Sequence, residues 1–190
     1  MAKIGLKNFR YGIATIGQDG AITYGGAKKP GKAITFNFEP TKSDAKLYAD
    51  DSLAESDTSV TGGTCTIGID RLDEITIADL LGHTNNEGEI VSSNNDIAPY
   101  VGLGRITRLI QDGTLKFRVT FLAQVVFSEP SQEDNTRGEN VEFNTYELEG
   151  DVVVPANGVW RKEKTFTTEA DAIEYLEGLL GTTTEGQGNG

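Results

Sequence analysis

Four carboxylates, Asp50, Asp51, Glu55 and Asp57, fall within eight residues and form the densest candidate for chemistry in this sequence. They sit in the stretch ADDSLAESDTSVTGGT, residues 49–64. A calcium loop of the EF-hand type needs acids on alternate positions, a glycine at the sixth and a glutamate at the twelfth. DDSLAESDTSVT has Glu55 at the sixth position and Thr61 at the twelfth, so that loop is not encoded. Transition-metal ligation wants His or Cys close by, and the chain has one of each, His83 and Cys65. A glycosidase-like carboxylate pair stays open, because any two acids can meet in a fold. The plainest reading is a solvated charged loop. An electrostatic contact between subunits comes next, and catalysis last.

The other reactive residues fare no better. His83 directly follows Gly82, a helix stop, so it reads as a structural residue beside the negative end of that helix. Cys65 lies on the apolar phase of a strand pattern and reads as core. Gly102 and Gly104 in YVGLGRIT mimic a phosphate loop, but neither a GK[ST] nor a helix pattern follows them. Within a strand such glycines instead permit close packing. Arg105, Arg108, Lys116 and Arg118 lie on two neighbouring runs without interleaved aromatics. They are expected to pair with acids across strands. No catalytic signature and no cofactor motif emerges.

The elements that would carry these residues are mostly strands. Residues 33–39 (AITFNFE) and 58–69 alternate apolar and polar positions, with Pro40 expected to end the first. Residues 100–111 and 114–128 are two long alternating runs joined by Asp112-Gly113, the clearest hairpin signal in the chain. Residues 141–154 and 158–166 suggest two further strands turning at Ala156-Asn157-Gly158. Helices are expected over 72–81, stopped by Gly82, and over 168–180, with Thr167 or Thr168 as N-cap and Gly181 as the stop. Residues 82–99 and 129–140 read as polar loops. The fold class is mainly β with two short helices.

Composition narrows the function further. The net charge of −12, from 29 acidic and 17 basic residues, argues against a surface that grips phosphates. A single cysteine excludes an intramolecular disulfide. The first residues lack a signal-peptide core and no run is long enough to span a membrane, so synthesis and folding in a reducing cytosol are expected. Charge is also uneven. Lys3, Lys7, Arg10, Lys28, Lys29 and Lys32 face only Asp19 within residues 1–33, whereas residues 129–151 are strongly acidic, with Glu133 and Asp134 among them. The organisation expected is an extended basic arm over residues 1–31, a β domain over 32–181 and a disordered glycine-rich tail over 182–190. Unlike patches on one subunit suit a head-to-tail interface, and exposed strand edges suit pairing with a neighbour. Candidate interface residues are Lys28, Lys29 and Lys32 against Asp50, Asp51, Glu55, Asp57, Glu133 and Asp134.

An ordered series of segments carries a family resemblance. AKIGLKNFRYG, GGAKKPGKAI, AKLYADDSLAESD and ADLLGH, then FSEPSQEDNTRGENVEFNTYELEG, VWRKEKTF and EADAIEYL, span roughly residues 1–180. Together they resemble the major tail proteins of long-tailed phages of Gram-positive bacteria. The resemblance implies a tail-tube β-sandwich or split barrel with a flanking helix, an N-terminal arm and long loops. It implies a non-enzymatic virion protein, assembled in the host cytoplasm, whose hexameric rings stack into a tube. Each subunit would add four strands to a continuous inner barrel. The implied partners are other copies of itself, the tape-measure protein, and the tail terminator and distal tail proteins. DNA would pass through the lumen without specific binding, and no membrane is involved. A barrel of about 24 strands at about 4.8 Å spacing has a backbone circle roughly 37 Å across before tilt widens it. The competing reading is a carbohydrate- or cell-surface-binding β-sandwich using Trp160, Tyr100 and Tyr146 as stacking platforms, with a carboxylate hydrolase third.

Overall fold

A computed structural model describes residues 2–43, 45–49, 52–57, 59–131 and 145–181. In chain order the elements are β1 (Ala2–Ile16), β2 (Ile22–Tyr24), β3 (Ala33–Lys42), β4 (Ala45–Ala49), β5 (Ser52–Asp57), β6 (Val60–Ile69) and α1 (Glu74–Leu81). Then come β7 (Thr84–Asn86), β8 (Glu89–Val91), β9 (Val101–Gln111), β10 (Thr114–Phe127), β11 (Tyr146–Val153), β12 (Arg161–Phe166) and α2 (Glu169–Leu179). The protein is mainly β. Eight strands form one antiparallel sheet in the order β2-β1-β9-β10-β11-β6-β3, with β12 also paired to β10. β4–β5 and β7–β8 are separate two-stranded ribbons.

The sheet folds on itself at β10. The first half of that strand pairs β12, from Phe117↔Phe166 to Leu122↔Arg161, and its end pairs β11 at Val125↔Val152 through Phe127↔Gly150. A register shift between Leu122 and Val125 separates the two halves, the kind of bulge that lets a strand turn from one layer into another. One core lies between the layers and contains Phe9, Tyr11, Cys65, Ile67, Leu103, Phe127 and Leu148. A second core seats α2 on the opposite side of β9 and β10, through Ile106, Val119, Phe121, Ala172, Leu176 and Leu180.

Local signals explain the ends of the elements. Asp112 (φ 52°) and Gly113 (φ 74°) both occupy left-handed backbone, which the tight turn between β9 and β10 requires. The Asp73 carboxylate accepts from the Thr76 amide to cap α1, and Gly82, at φ 76°, closes it with its N–H donating to the Ala78 carbonyl. The Thr168 hydroxyl accepts from the Asp171 amide at the start of α2. Both helices thus fall where expected, α1 two residues shorter at its start because Asp73 is the cap. Gly104 leaves room for Leu176, and Gly102 for the rings of Tyr24 and Phe121, so these glycines serve close packing.

Four expectations change. The N-terminal arm is not free: β1 is a 15-residue strand antiparallel to β9, burying Phe9, Arg10 and Tyr11, and Lys28 bridges back to Tyr11. Pro40 does not end β3, because β3 is an edge strand and the missing proline N–H costs no ladder bond. β11 and β12 do not pair with each other but occupy successive stretches of β10. The loop over 82–99 contains the β7–β8 ribbon, turning at Glu87 and Gly88 with positive φ. The tail over 182–190 lies outside the described residues.

Candidate functional site: an acidic sheet face and a divided set of cations

Strands β11, β6 and β3 have two unlike faces. The inward rows, Leu148–Ile67–Phe36 and Gly150–Cys65–Phe38, supply the core. The outward rows run Glu147–Gly68–Thr35, Glu149–Thr66–Asn37 and Asp151–Thr64–Glu39. The acids Glu147, Glu149, Asp151 and Glu39 are all exposed, and no Lys or Arg occupies these rows. Along one strand, alternate side chains stand about 7 Å apart, where like charges in water repel by roughly 0.6 kcal/mol per pair. Carboxylates are therefore the charged groups of these rows, set among hydroxyl and amide side chains. These acids were legible in the sequence as an acidic excess. Their common face was not, because the rows join residues far apart in the chain.

Much of the positive charge at the N-terminus is neutralised within the chain. On the α2 side of β1, Lys7 Nζ lies 3.3 Å from Glu169 Oε1, and Arg10 Nε 3.3 Å from Glu177 Oε1. Lys28 Nζ meets Asp79 Oδ2 at 2.6 Å, and the Tyr11 hydroxyl donates to the same oxygen at 2.8 Å. Burial and the neighbouring Asp79 carboxylate push the Tyr11 phenol far above its ordinary value. Lys28 thus has a partner in its own chain. Lys29 and Lys32 are exposed, form no ion pair among the described residues, and line a groove of about 480 Å³ with Lys7, Arg10 and Arg71. On the acidic side, Glu55 and Asp57 belong to β5, so part of the expected charged loop is a ribbon. Asp50, Asp51, Glu133 and Asp134 lie outside the described residues.

The remaining candidates resolve individually. Cys65 is fully buried, and burial pushes its thiol up to about 12. His83 does not simply face the end of α1: Nδ1 sits 2.8 Å from Asp96 Oδ2 and Nε2 3.0 Å from Glu129 Oε2. The hydrogen bond to Asp96, aided by Glu129, raises the imidazole above its ordinary value. The described contacts of three hairpin cations are with an aromatic ring, an amide and a hydroxyl. The Arg105 guanidinium stands over the Phe36 ring, 3.9 Å from its centroid, and Lys116 Nζ donates to the Gln111 side-chain oxygen. Arg118 Nε donates to the Thr165 hydroxyl. The buried Nε atoms of Arg105 and Arg108 have no hydrogen-bond partner among the described residues. Trp160 is half-buried against Phe38, 5.5 Å between ring centroids, with the Arg161 guanidinium near its ring, so it is not an open stacking platform.

Among the described residues no group of His, Cys, Asp and Glu is placed to hold a metal ion, and no helix is long and apolar enough to cross a membrane. No protein-family model and no curated protein matches the chain.

Proposed function

We propose that this chain is a tail-tube subunit of the major tail protein type, polymerising as stacked hexameric rings around a lumen that holds the tape-measure protein and later conducts DNA. The observation that carries the reading is the exposed acidic face of β11, β6 and β3. On a tube wall that face would look inward, and carboxylates there would repel phosphates so that a duplex slides without sticking. With the end of β10 these strands make four, the number each subunit of a tail-tube barrel contributes.

The edges of that sheet support the same reading. Among the described residues β3 is unpaired on its outer side, and Tyr146–Leu148 of β11 have no partner on the side away from β6. Two unlike edges on opposite sides of one sheet suit a heterologous contact that closes into a ring. In this reading the molecule is the split barrel of the tail-tube type, with α2 as its flanking helix. Sedimentation of the purified chain over a range of concentrations, followed by negative-stain microscopy, tests the proposal. Rings or hollow tubes are expected at high concentration. A monomer at every concentration, unchanged by addition of tail partners, would reject it.

A further inference from the structure

His83 is the chain's one histidine, and both of its ring nitrogens face carboxylates from different segments. Asp96 belongs to the connection between β8 and β9, and its Oδ2 also accepts from the Ser93 amide at 2.8 Å. Glu129 follows the end of β10. The His83 side chain is only 8% exposed, and Asp96 17%, whereas Glu129 is 61% exposed. Two acceptors on one ring require two N–H donors, which only the imidazolium supplies. A neutral ring would turn one bare nitrogen lone pair toward a carboxylate. No Lys or Arg pairs with either acid among the described residues. The Asp79 carboxylate of the preceding helix is held by Lys28 and Tyr11, while Glu87 and Glu89 of the β7–β8 ribbon are exposed.

We propose that His83 is a proton-operated clasp that, as imidazolium, ties the β8–β9 connection to the end of β10 and opens when it loses its proton. The device is independent of the tube reading. The pH window follows from the two shifts. The imidazole is raised above its ordinary 6.5, so its contribution is complete below that value and disappears as pH rises through the folded value. Asp96 is held below its ordinary 3.8, first by the Ser93 amide and then by His83, so its contribution disappears as pH falls through that depressed value. The clasp is closed between these limits and open on either side.

A single histidine makes the test direct, because its ring signals need no assignment by mutation. NMR titration of the native protein should give a His83 midpoint above 6.5, with both ring nitrogens protonated on the acid side of that midpoint. Exchange of the Ser93 amide should accelerate through the same upper transition, beyond the ordinary base-catalysed rise seen at other protected amides. Asp96→Asn should lower the midpoint more than Glu129→Gln does, since Asp96 is the less exposed partner. A midpoint at or below 6.5 overturns the proposal, as does Ser93 protection that ignores the His83 transition. A larger shift from Glu129→Gln would overturn Asp96 as the main anchor.

Discussion

Docking of α2 rests on one tight contact that can be tested by a pair of substitutions. Leu176 is fully buried in the second core and sits over Gly104 of β9. A methyl group at Gly104 would overlap Leu176 Cδ1 and stand 3.1 Å from its Cγ and 3.2 Å from its Cδ2. Gly104 has no positive φ, so alanine there meets a packing conflict and no backbone strain. Gly104→Ala should cost about 1–3 kcal/mol through overpacking. Leu176→Ala should cost about 2–5 kcal/mol from lost burial and the cavity left behind. At about 2–4 °C per kcal/mol for a domain this size, that single change lowers Tm by roughly 4–20 °C. In the double variant the new methyl enters space that Leu176 has vacated, so the overpacking disappears. The two effects should then fall short of their sum by about 1–3 kcal/mol. Urea unfolding of the unassembled protein, followed by far-UV circular dichroism, measures each corner of the cycle. Additivity within about 0.5 kcal/mol would refute the claim that Gly104 exists to seat Leu176.

Other outcomes follow from the same geometry. Tyr11→Phe removes a hydrogen bond to a carboxylate and should cost about 1.5–3 kcal/mol in chemical denaturation, with near-native circular dichroism. Cys65 should resist a thiol reagent in the folded state at pH 8 and react fully in denaturant. Because its thiol rises from 9.0 to about 12 on folding, the stability it contributes should also decline as pH rises above 9. Replacing Lys29 and Lys32 with Glu should weaken self-association in sedimentation while leaving the monomer's Tm nearly unchanged, since neither makes an ion pair among the described residues. Unaltered association would remove them from the interface. Lysine at Glu147, Glu149 and Asp151 should convert a face indifferent to duplex DNA into one that binds it at low salt, measurable by fluorescence anisotropy.

The sequence was most readable where local chemistry decides the structure. Asp112-Gly113 announces the β9–β10 hairpin because few residue pairs tolerate two successive positive φ values. Thr168 and Gly82 mark helix ends for equally local reasons. β1 was hidden by its own irregularity. The buried phase runs through Leu6, then shifts to Phe9, Tyr11 and Ile13 across a bulge at Asn8, whose φ is 51°. That shift breaks the period-two pattern from which strands are read. Pro40 misled for a different reason: a sequence window does not say whether a strand lies at an edge. The His83 contacts join residues 13 and 46 positions apart, and nothing local signals them. The acidic face was similarly out of reach, since three strands must align before Glu149, Thr66 and Asn37 become neighbours.

A cryo-electron-microscopy reconstruction of the assembled protein tests the central claim most directly. The expected particle is a hollow stack of hexameric rings, with β3, β6 and β11 around the lumen and Glu147, Glu149, Asp151 and Glu39 on its inner wall. An assembly with that acidic face turned outward, or buried in a solid contact between copies, would contradict the account.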